Sequence, residues 1–502
     1  MSEKPVSALK GPLDEGKFPV TFELVPGRGS KQKWVEQMTT FIDAAAAEKR
    51  LAALSFTDRP GGGRSMSSDV LCTFARSKGV GVLSHVAAKD YSRNEFEGHM
   101  YALDFEGLRD VLLLTGDFPT EGYKGMSRPV FDIDSVWMTK LVTEMNKGLP
   151  LNKSVKTGDW LFMKPTEFFK SVACSPFKGT PEEMAGQYWK LIKKLEAGAD
   201  FVIPQLGYDM RKFDELIKVV RKCGSKAPIL GNVYILNYNV GKRMNQGLVP
   251  GAVVSDGMLE QLKKESEGPD KGKAAMLTRA AKMMAVLKGI GYQGIHLGGH
   301  GIEYPDVVKV LDEYPQYVND WQNYVKELHF PVSGWKYLFE EDTKTGLNTE
   351  TLVLPRDEAE FDLAYSMMSF FHAVLFSDKS LLFPVAKKIS QITHASPTLE
   401  KMVDFFERVS KTAANHCQEC GDCALPEIAF LCPESQCPKG QRNGPCGGSL
   451  NQWCEVYPEK RYCIWVRAYR REGMGFADPG VCLWWSIPRG RGARCLPWVQ
   501  AA

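Results

Sequence analysis

Residues 109–117 read RDVLLLTGD, a short run of branched apolar side chains that ends in threonine, glycine and aspartate. An apolar run of this kind, without polar alternation, is typical of a parallel strand covered by helices on both faces. Gly-Asp commonly makes a turn, so the polar residues mark the end of the strand. This stretch therefore predicts a buried parallel strand with polar side chains at its carboxyl end.

The same pattern recurs along the first 300 residues or so and alternates with amphipathic helical stretches. The predicted strands are VTFELV (20–25), AALSFT (52–57), VGVLSHV (80–86), RDVLLLT (109–115), FFKSVAC (168–174), DFVIPQL (200–206), ILGNVYIL (229–236) and YQGIHL (292–297). Helical patterns between them include residues 33–50, 135–147, 181–198 and 273–289. Eight βα units of this size predict an α/β fold, a (β/α)8 TIM barrel. The alternative is an open doubly wound sheet, which is disfavoured because no glycine-rich dinucleotide fingerprint follows the first strand.

Composition narrows the class of protein. The chain has 502 residues, 44% of them hydrophobic and 25% charged, which indicates a globular protein of two or three domains. A net charge of +3 gives no reason to expect nucleic-acid or membrane binding through a global field. The sequence shows neither an apolar stretch that could span a bilayer nor a signal peptide, so we expect a cytoplasmic protein. In a reducing compartment, its 13 cysteines are expected to be metal ligands or thiols rather than disulfides.

The alternation ends near residue 330, which sets the predicted domain boundaries. We expect a barrel over 1–330, an irregular linker over 331–357, a helical and cysteine-rich domain over 358–471, and an irregular tail over 472–502. Two long connections, 118–167 and 237–272, interrupt the barrel pattern. Because a βα connection of this length is often functional, the first is of interest for the site.

Polar residues occur at the carboxyl ends of six predicted strands. They are Glu23, Thr57, His85, the run Thr115, Gly116 and Asp117, then Cys174 and Gln205. Active sites of (β/α)8 barrels lie at this end of the strands. The pattern therefore predicts a site at one rim of the barrel.

Eight cysteines lie within 47 residues in the C-terminal part of the chain. They are Cys417, Cys420, Cys423, Cys432, Cys437, Cys446, Cys454 and Cys463. Thiolates are soft ligands that suit zinc or iron–sulfur clusters. The first three, each two residues from the next, are similar to the start of a ferredoxin-type run, so we expect at least one [4Fe–4S] cluster and keep zinc as the alternative. Two four-ligand sites are compatible with the count, and His416 is a further candidate ligand.

Five stretches of the barrel together resemble one known family. They are VTFELVPGRG (20–29), LSFTDRPGGGRSMSSD (54–69), LSHVAAKDYSRNEFEGHMYAL (83–103), DVLLLTGDFP (110–119) and AGADFVIPQLGYD (197–209). In this order and spacing they resemble methylenetetrahydrofolate reductases. The resemblance implies a barrel that binds FAD and reduces methylenetetrahydrofolate to methyltetrahydrofolate. The run CPKGQRNGPCGG (437–448) resembles the C-terminal domain found with such reductases in some bacteria.

The resemblance assigns roles at the folate side of the site. Glu23 aligns with the catalytic acid, which promotes opening of the folate imidazolidine ring by protonating a ring nitrogen. Burial on a barrel strand is expected to raise its pKa. Asp117 aligns with a catalytic aspartate beside the flavin. Gln205 aligns with a folate-contacting glutamine, and Asp209 is expected to shape the same side.

The resemblance also assigns flavin contacts, with some departures. The implied cofactor-binding residues are Thr57, His85, Thr115, Gly116, Asp117, Cys174, Gln187 and Lys194, the last of which faces the flavin phosphates. Cys174 stands in place of a tyrosine, and Lys178 and Gln187 replace a histidine and an aspartate in the ribose region. FAD is therefore the expected cofactor, with FMN or no flavin as alternatives. On sequence alone, His85 could equally be a core residue and Lys194 a surface cation of its helix.

Taken together, the sequence predicts a cytoplasmic, flavin-dependent methylenetetrahydrofolate reductase of one-carbon metabolism. The expected electron donor is NAD(P)H or a ferredoxin or other iron–sulfur protein, in a homo-oligomer or a redox complex. The alternatives are a pterin-binding methyltransferase and a non-catalytic subunit of a redox complex.

Overall fold

Eight parallel strands dominate the computed structural model, which describes residues 6–153, 158–353, 360–375, 380–421, 423 and 425–472. The strands of the described residues are β1 (Val20–Leu24), β2 (Ala53–Phe56), β3 (Val82–Ala87), β4 (Asp110–Leu114), β5 (Pro150–Lys153), β6 (Trp160–Phe162), β7 (Phe169–Cys174), β8 (Phe201–Pro204), β9 (Leu230–Ile235), β10 (Gly294–Gly299), β11 (Phe339–Asp342), β12 (Leu347–Leu352), β13 (Trp453–Cys454) and β14 (Tyr457–Tyr462). All eight runs predicted from the sequence form strands of one sheet, within one or two residues at each end.

The sheet closes into a barrel. Its strand order is β8-β7-β4-β3-β2-β1-β10-β9, and every neighbouring pair is parallel. The two end strands meet through a parallel bridge between Val202 and Ile229, and the Val202 amide donates to the Pro228 carbonyl at 2.9 Å. The predicted (β/α)8 barrel is therefore confirmed.

Helices follow the barrel strands and continue into the C-terminal region. They are α1 (Lys10–Asp14), α2 (Lys33–Glu48), α3 (Ser68–Ser77), α4 (Arg93–Phe105), α5 (Ser135–Met145), α6 (Pro181–Glu196), α7 (Met210–Lys222), α8 (Tyr238–Asn245), α9 (Asp256–Ser266), α10 (Lys273–Ile290), α11 (Tyr304–Glu313), α12 (Leu363–Leu375), α13 (Phe383–His394), α14 (Pro397–Asn415), α15 (Pro433–Gln436) and α16 (Ile464–Glu472). Side-chain caps set several starts: Asp134 accepts from two amides of α5, and Asp209 accepts from two amides of α7. Among the described residues, we find no helix whose length and apolar character would let it cross a bilayer.

Alternation along β4 shows how the core is divided. Val111 and Leu113 belong to the large cluster between strands and helices, whereas Leu112 belongs to a second cluster. This second cluster joins residues of six strands with Leu13 of α1 and Leu9, the N-cap of that helix. The Ala8 amide, just before α1, donates to the carboxylate of Asp110, the first residue of β4, so α1 closes the amino end of the barrel. The functional rim must therefore be the opposite, carboxyl end.

Two connecting segments contain regular structure. The connection 118–167 includes the predicted helix, as α5, and also the β5–β6 hairpin. The predicted linker 331–357 contains the β11–β12 hairpin, because Arg211 of α7 holds it through the Phe339 carbonyl and the Asn348 side chain, each at 3.0 Å. The predicted tail, apart from Glu472 at the end of α16, lies outside the described residues, as do Cys482 and Cys495.

The C-terminal region packs against helix α6 of the barrel. Ala185 of α6 shares a buried cluster with Ile428, Trp465 and Tyr469. The rings of Trp189 and Trp465 lie 5.2 Å apart between centroids. This contact brings the cysteine-rich segment against the barrel on the side where β7 and β8 end.

Candidate active site

Three ionisable side chains meet inside the barrel near its carboxyl rim. Glu23 of β1, His85 of β3 and His296 of β10 place one nitrogen or carboxylate oxygen each within 4.8 Å of the others. The strand register explains the meeting, because Thr21 is the cross-strand partner of His296 and Glu23 lies two residues further along the same inward face. The cluster unites three strands that are distant in the sequence.

Hydrogen bonds orient the two histidines differently. Thr21 Oγ1 lies 2.8 Å from His296 Nδ1, and His296 Nε2 lies 3.3 Å from Glu23 Oε2. If the Thr21 hydroxyl donates to Nδ1, the Nε2 hydrogen of His296 faces Glu23. His85 Nε2 lies 2.6 Å from Ser55 Oγ instead. His296 is thus the direct neighbour of the predicted acid.

The electrostatics of Glu23 differ from the sequence-based expectation. Burial raises the pKa of Glu23, but the His296 hydrogen bond and the charges of both histidines lower it, and the net pKa is below its usual range. The expected net increase is therefore wrong, because burial was considered without the neighbouring imidazoles. Burial lowers the pKa of His85 to about 4, so its ring is neutral at neutral pH.

The turn after β4 carries the other predicted catalytic residue. Asp117 is partly exposed, and its Oδ2 accepts from the Gly61 amide at 2.6 Å. Gly116 has a φ of +83°, which a residue without a Cβ adopts most easily. Thr57, at the end of β2, is buried and its Oγ1 has no hydrogen-bond partner among the described residues. Thr57 and Asp117 therefore lie on neighbouring parts of the rim, with Thr57 Oγ1 available to a ligand.

The two predicted folate-side residues behave differently. Gln205 is partly exposed at the end of β8, and its Oε1 accepts from the Leu206 amide at 2.9 Å, which leaves its amide nitrogen toward the rim residue Gly251. Asp209 is 3% exposed. Its Oδ1 caps α7, and its Oδ2 accepts from the Tyr337 hydroxyl at 2.7 Å. Both oxygens of Asp209 therefore serve the scaffold.

The predicted flavin residues on β7 and α6 are buried. Cys174 is 5% exposed, Gln187 is 5% exposed and Lys194 is 7% exposed. Lys194 Nζ donates to the Ala173 carbonyl at 2.7 Å, and burial lowers the pKa of Lys194 to about 7. Burial likewise raises the pKa of Cys174 to about 12. Lys194 is therefore an interior lysine and not a surface cation.

A segment of the cysteine-rich domain covers this part of the rim. We name Lys439–Ser449 the rim loop. Its contacts with the barrel are those of Lys439 with the Gly116 carbonyl (2.9 Å), Thr115 Oγ1 with Gln441 Oε1 (3.2 Å), Lys190 Nζ with the Gly444 carbonyl (3.1 Å), the Asn443 amide with Asp134 (2.9 Å) and Lys178 Nζ with the Gly447 carbonyl (2.7 Å). The rim is therefore built from both parts of the chain.

The eight cysteines separate into two groups of four. Cys437, Cys446, Cys454 and Cys463 line one cavity together with Lys439, Gln441 and Trp465. Cys417, Cys420, Cys423 and Cys432 line a second cavity against α14. We name these sets the inner quartet and the outer quartet, since Cys420 and Cys423 of the second set are exposed. His416 is the left-handed C-cap of α14, directly before the outer quartet.

The donor set of each quartet fits a metal centre. Four thiolates around one cavity are the ligand set of structural zinc and of iron–sulfur clusters. The ligand type of each quartet is therefore compatible with zinc and with an iron–sulfur cluster.

The residues also allow a test of the implied flavin. Thr57 Oγ1, Ser175 Oγ and Gln187 Nε2 are buried and have no hydrogen-bond partner among the described residues, so they fit the polar edges of a bound group. In contrast, Lys178 donates to the carbonyls of Gly447 and Ser449. A Cβ on Gly447 would lie 3.6 Å from Gln187 Oε1. A flavin fits the rim, while the rim loop holds the positions that the resemblance assigns to the ribose of FAD.

Three residues of this site are not predicted from the sequence. His296 lies in the predicted strand YQGIHL, where its inward-facing position is the available signal. Lys439 and Gln441 lie between ligand cysteines, and nothing local to their sequence indicates that they reach β4. All three act through contacts between distant segments.

Comparisons with known families match both the barrel and the C-terminal part of the chain. Residues 8–299 match the family described as methylenetetrahydrofolate reductase. Residues 396–477 match the family described as methylene-tetrahydrofolate reductase C terminal. The first match covers more than half of the chain, and it ends with β10, the last barrel strand.

One curated relative is a Caenorhabditis elegans protein named "Probable methylenetetrahydrofolate reductase (NADPH)". It is 24% identical over 212 residues, which is 41% of this chain and 28% of the relative. The match thus spans less than a third of that protein.

Two solved structures match this chain at low similarity. One is an uncharacterized Clostridium thermocellum protein described as binding two copies of 5-methyl-5,6,7,8-tetrahydrofolic acid, with 11% identity, a TM-score of 0.42, and coverage of 62% of this chain and 100% of that one. The other is 2,3-dimethylmalate lyase, with 11% identity, a TM-score of 0.34, and coverage of 63% and 87%.

Proposed function

The chain belongs to the methylenetetrahydrofolate reductase family, and from this we propose that it reduces 5,10-methylenetetrahydrofolate to 5-methyltetrahydrofolate. The observation that carries the proposal is the paired carboxylate and imidazole of Glu23 and His296 at the carboxyl rim. This pair can hold a proton beside a substrate nitrogen, as opening of the folate ring requires. A reduced flavin, when bound, would supply the hydride for the exocyclic methylene carbon.

The acid function of Glu23 depends on its neighbour. Since the pKa of Glu23 is lowered, the carboxylate is ionised at neutral pH in the substrate-free site. The proposed acid is therefore the Glu23–His296 pair after it has taken up one proton from solvent, a proton that it shares between His296 Nε2 and Glu23 Oε2, which lie 3.3 Å apart. Thr21 holds the imidazole in line from its other nitrogen. A folate that excludes water would favour transfer of this proton to its ring nitrogen.

Other residues are proposed to bind and orient the reactants. Gln205 would meet the pterin with its side-chain amide, which can donate and accept. Thr57, Thr115 and Gly116 line the flavin side, and Asp117 would place a charge near the ring. Lys194 would pair with a flavin phosphate. FMN satisfies these contacts as well as FAD does. Lys178, which the resemblance assigns to the ribose region of FAD, instead donates to the carbonyls of Gly447 and Ser449, and this favours FMN.

The quartets support a route for electrons to this site. We propose that the inner quartet holds a [4Fe–4S] cluster beside the rim, with the outer quartet as a second centre nearer the surface. Zinc in either quartet is the alternative, which would give that quartet a structural role. A ferredoxin-type donor suits an exposed second centre better than NAD(P)H does. A cytoplasmic location stays a prediction from the sequence.

An apolar surface next to the outer quartet fits such a donor. Phe405 and Phe406 of α14 are 60% and 65% exposed, and their ring centroids lie 5.8 Å apart. Contiguous exposed apolar side chains mark interaction surfaces. Because Glu407, Arg408 and Lys411 of α14 also line the outer-quartet cavity, this surface continues into the proposed metal centre. We propose an iron–sulfur electron-donor protein as its partner. Loss of ferredoxin-driven but not dye-driven turnover in a Phe405→Ser/Phe406→Ser variant would support this, and a shift from dimer to monomer would show a second copy instead.

Anaerobic purification with metal analysis and an absorption spectrum tests the cofactors together with the reaction. The expected result is a brown protein with bound flavin and iron that oxidises methyltetrahydrofolate with menadione as acceptor. A colourless protein that holds zinc would refute the clusters. Absence of both flavin and menadione-linked oxidation, with methyl transfer to a corrinoid protein, would identify a methyltransferase. An isolated chain that binds metal but shows no turnover with any electron donor would indicate a non-catalytic subunit.

A further inference from the structure

Two cysteines of the inner quartet flank the rim-loop residues that contact Thr115, Gly116 and Asp134. Cys437 lies two residues before the loop, Cys446 lies within it, and both line the same cavity. The residues between these two cysteines are the ones that reach Thr115, Gly116 and Asp134. A centre that binds both cysteines would therefore fix the two ends of the segment that touches the barrel rim.

Lys439 makes the contact nearest to the predicted catalytic turn. It is 2% exposed, its Nζ donates to the Gly116 carbonyl at 2.9 Å, and it forms an ion pair with Glu455. A Cβ built on Gly116 would lie 3.0 Å from Ala87 Cβ, so β3 closes the other side of the turn. The Gly116–Asp117 turn is thus held between the barrel and Lys439.

Gln441 makes a second, independent contact with the same turn. It is fully buried, and its Oε1 accepts from both Thr115 Oγ1 (3.2 Å) and Lys190 Nζ (2.8 Å). Its Nε2 donates to the Lys439 carbonyl at 2.7 Å. Buried polar groups that are all satisfied in this way hold one conformation, because each alternative would leave a donor or acceptor unpaired.

Glycines show that the loop is fitted closely to its neighbours. Gly444 has a φ of +126°, and a Cβ there would lie 2.6 Å from the Lys190 side chain. A Cβ on Gly448 would lie 1.0 Å from Glu455 Oε2, the carboxylate that pairs with Lys439. The loop can approach both groups only because these positions lack a side chain.

We propose that Lys439 and Gln441 are positioning residues of the barrel active site, supplied by the cysteine-rich domain, and that metal bound to the inner quartet keeps them in place. The description of the rim as an active site rests on the proposed function, whereas the coupling of the inner quartet to the turn rests on the contacts alone. Loss of metal from this quartet releases the rim loop, and the Thr115–Asp117 turn loses the donor and acceptor that hold it.

Hydrogen–deuterium exchange of the metal-loaded full chain tests the coupling without folate or flavin. Cys446→Ser in the inner quartet is compared with Cys420→Ser in the outer quartet as the matched control. We expect amide exchange in residues 110–118 to rise at least about tenfold in the first variant and to stay unchanged in the second. Unchanged exchange after Cys446→Ser, or equal increases in both variants, would overturn the proposal.

A second variant covers the case in which Cys446→Ser fails to fold. The double variant Lys439→Met/Glu455→Met removes both partners of the buried ion pair, which leaves no unpaired charge. We expect it to keep its metal, to raise exchange in residues 110–118, and to lower kcat about tenfold or more with little change in KM. Lys439→Arg, which keeps a donor, should recover part of kcat. Unchanged exchange and unchanged kcat in the double variant would overturn the role of Lys439. Altered exchange in a chain that has no folate activity would overturn only the proposed function.

Discussion

Replacement of Glu23 by glutamine separates the two halves of the proposed reaction. Glutamine preserves the volume of the side chain and can still accept a hydrogen bond from His296, 3.3 Å from the carboxylate in the structure. It cannot hold and release the proton that opening of the folate ring requires. We therefore expect reduction of methylenetetrahydrofolate to fall while reduction of the flavin by its donor continues.

The size of the effect follows from what a positioned acid supplies. General acid catalysis contributes about 10²–10⁴-fold to a rate, which corresponds to about 3–5 kcal/mol of activation free energy. We expect a loss in this range in the folate half-reaction and a change of less than about twofold in the flavin half-reaction. Loss of the carboxylate charge also removes one partner from the cluster with His85 and His296, so the melting temperature serves as a check on folding.

Rapid mixing under anaerobic conditions measures the two half-reactions separately through the flavin absorbance. Glu121→Gln is the matched control, because Glu121 is an exposed carboxylate in the connection after β4 that pairs with Arg64 at 2.8 Å. An exposed pair of this kind contributes little to stability because solvent screens it, so this control should resemble the unaltered protein in both steps. Equal losses in both half-reactions of Glu23→Gln would show a structural role and refute the acid assignment.

Three further predictions concern pH and metal. His296→Ala removes the hydrogen bond that lowers the pKa of Glu23 and leaves burial, which raises it. As pH falls toward the lowered pKa of Glu23, the unaltered protein loses stability, whereas the variant, in which burial raises that pKa, becomes more stable. The difference in melting temperature between the two proteins should therefore narrow from pH 7 to pH 4. A constant difference would contradict the pairing of Glu23 with His296. Lys194 has a pKa of about 7 without a bound anion. Above pH 7, binding of a phosphate-bearing flavin must therefore be accompanied by protonation of the Lys194 amine. Flavin affinity, measured by fluorescence titration of deflavinated protein, should fall up to about tenfold per pH unit above 7, and a Lys194→Met variant with the same slope would exclude Lys194 as the phosphate partner. Cys446→Ser and Cys420→Ser should each lower the metal content by about half, since each removes a ligand from a different four-cysteine site, and loss of all metal in either variant would indicate one shared centre.

Much of the fold follows from local patterns in the sequence. The eight apolar runs form strands because a buried parallel strand needs branched apolar side chains on both faces, and that requirement is visible within six residues. The carboxyl ends of these strands meet at one rim in any barrel, so Glu23, Thr57, His85 and Gln205 could be assigned to one site from their positions alone. The β11–β12 hairpin was missed because Arg211, far away in the sequence, holds it.

The chemistry of the site depended on distances that no local pattern contains. Burial raises the pKa of Glu23, but the hydrogen bond from His296, 273 residues away, and the charges of His296 and His85 together outweigh it. The same holds for Asp209, whose carboxylate caps α7 and meets Tyr337 rather than facing a ligand.

The sequence by itself determined the barrel, the rim that carries the chemistry, and a C-terminal segment with enough thiolates for metal. These depend on the periodicity of apolar residues and on ligand type, which are properties of short segments. Only the tertiary structure divided the eight cysteines into an inner and an outer quartet and brought Lys439 to the carbonyl of Gly116, 323 residues earlier. The reason is physical: a buried lysine and a buried glutamine must find partners wherever the folded chain provides them, and here the partners lie on the rim of another domain.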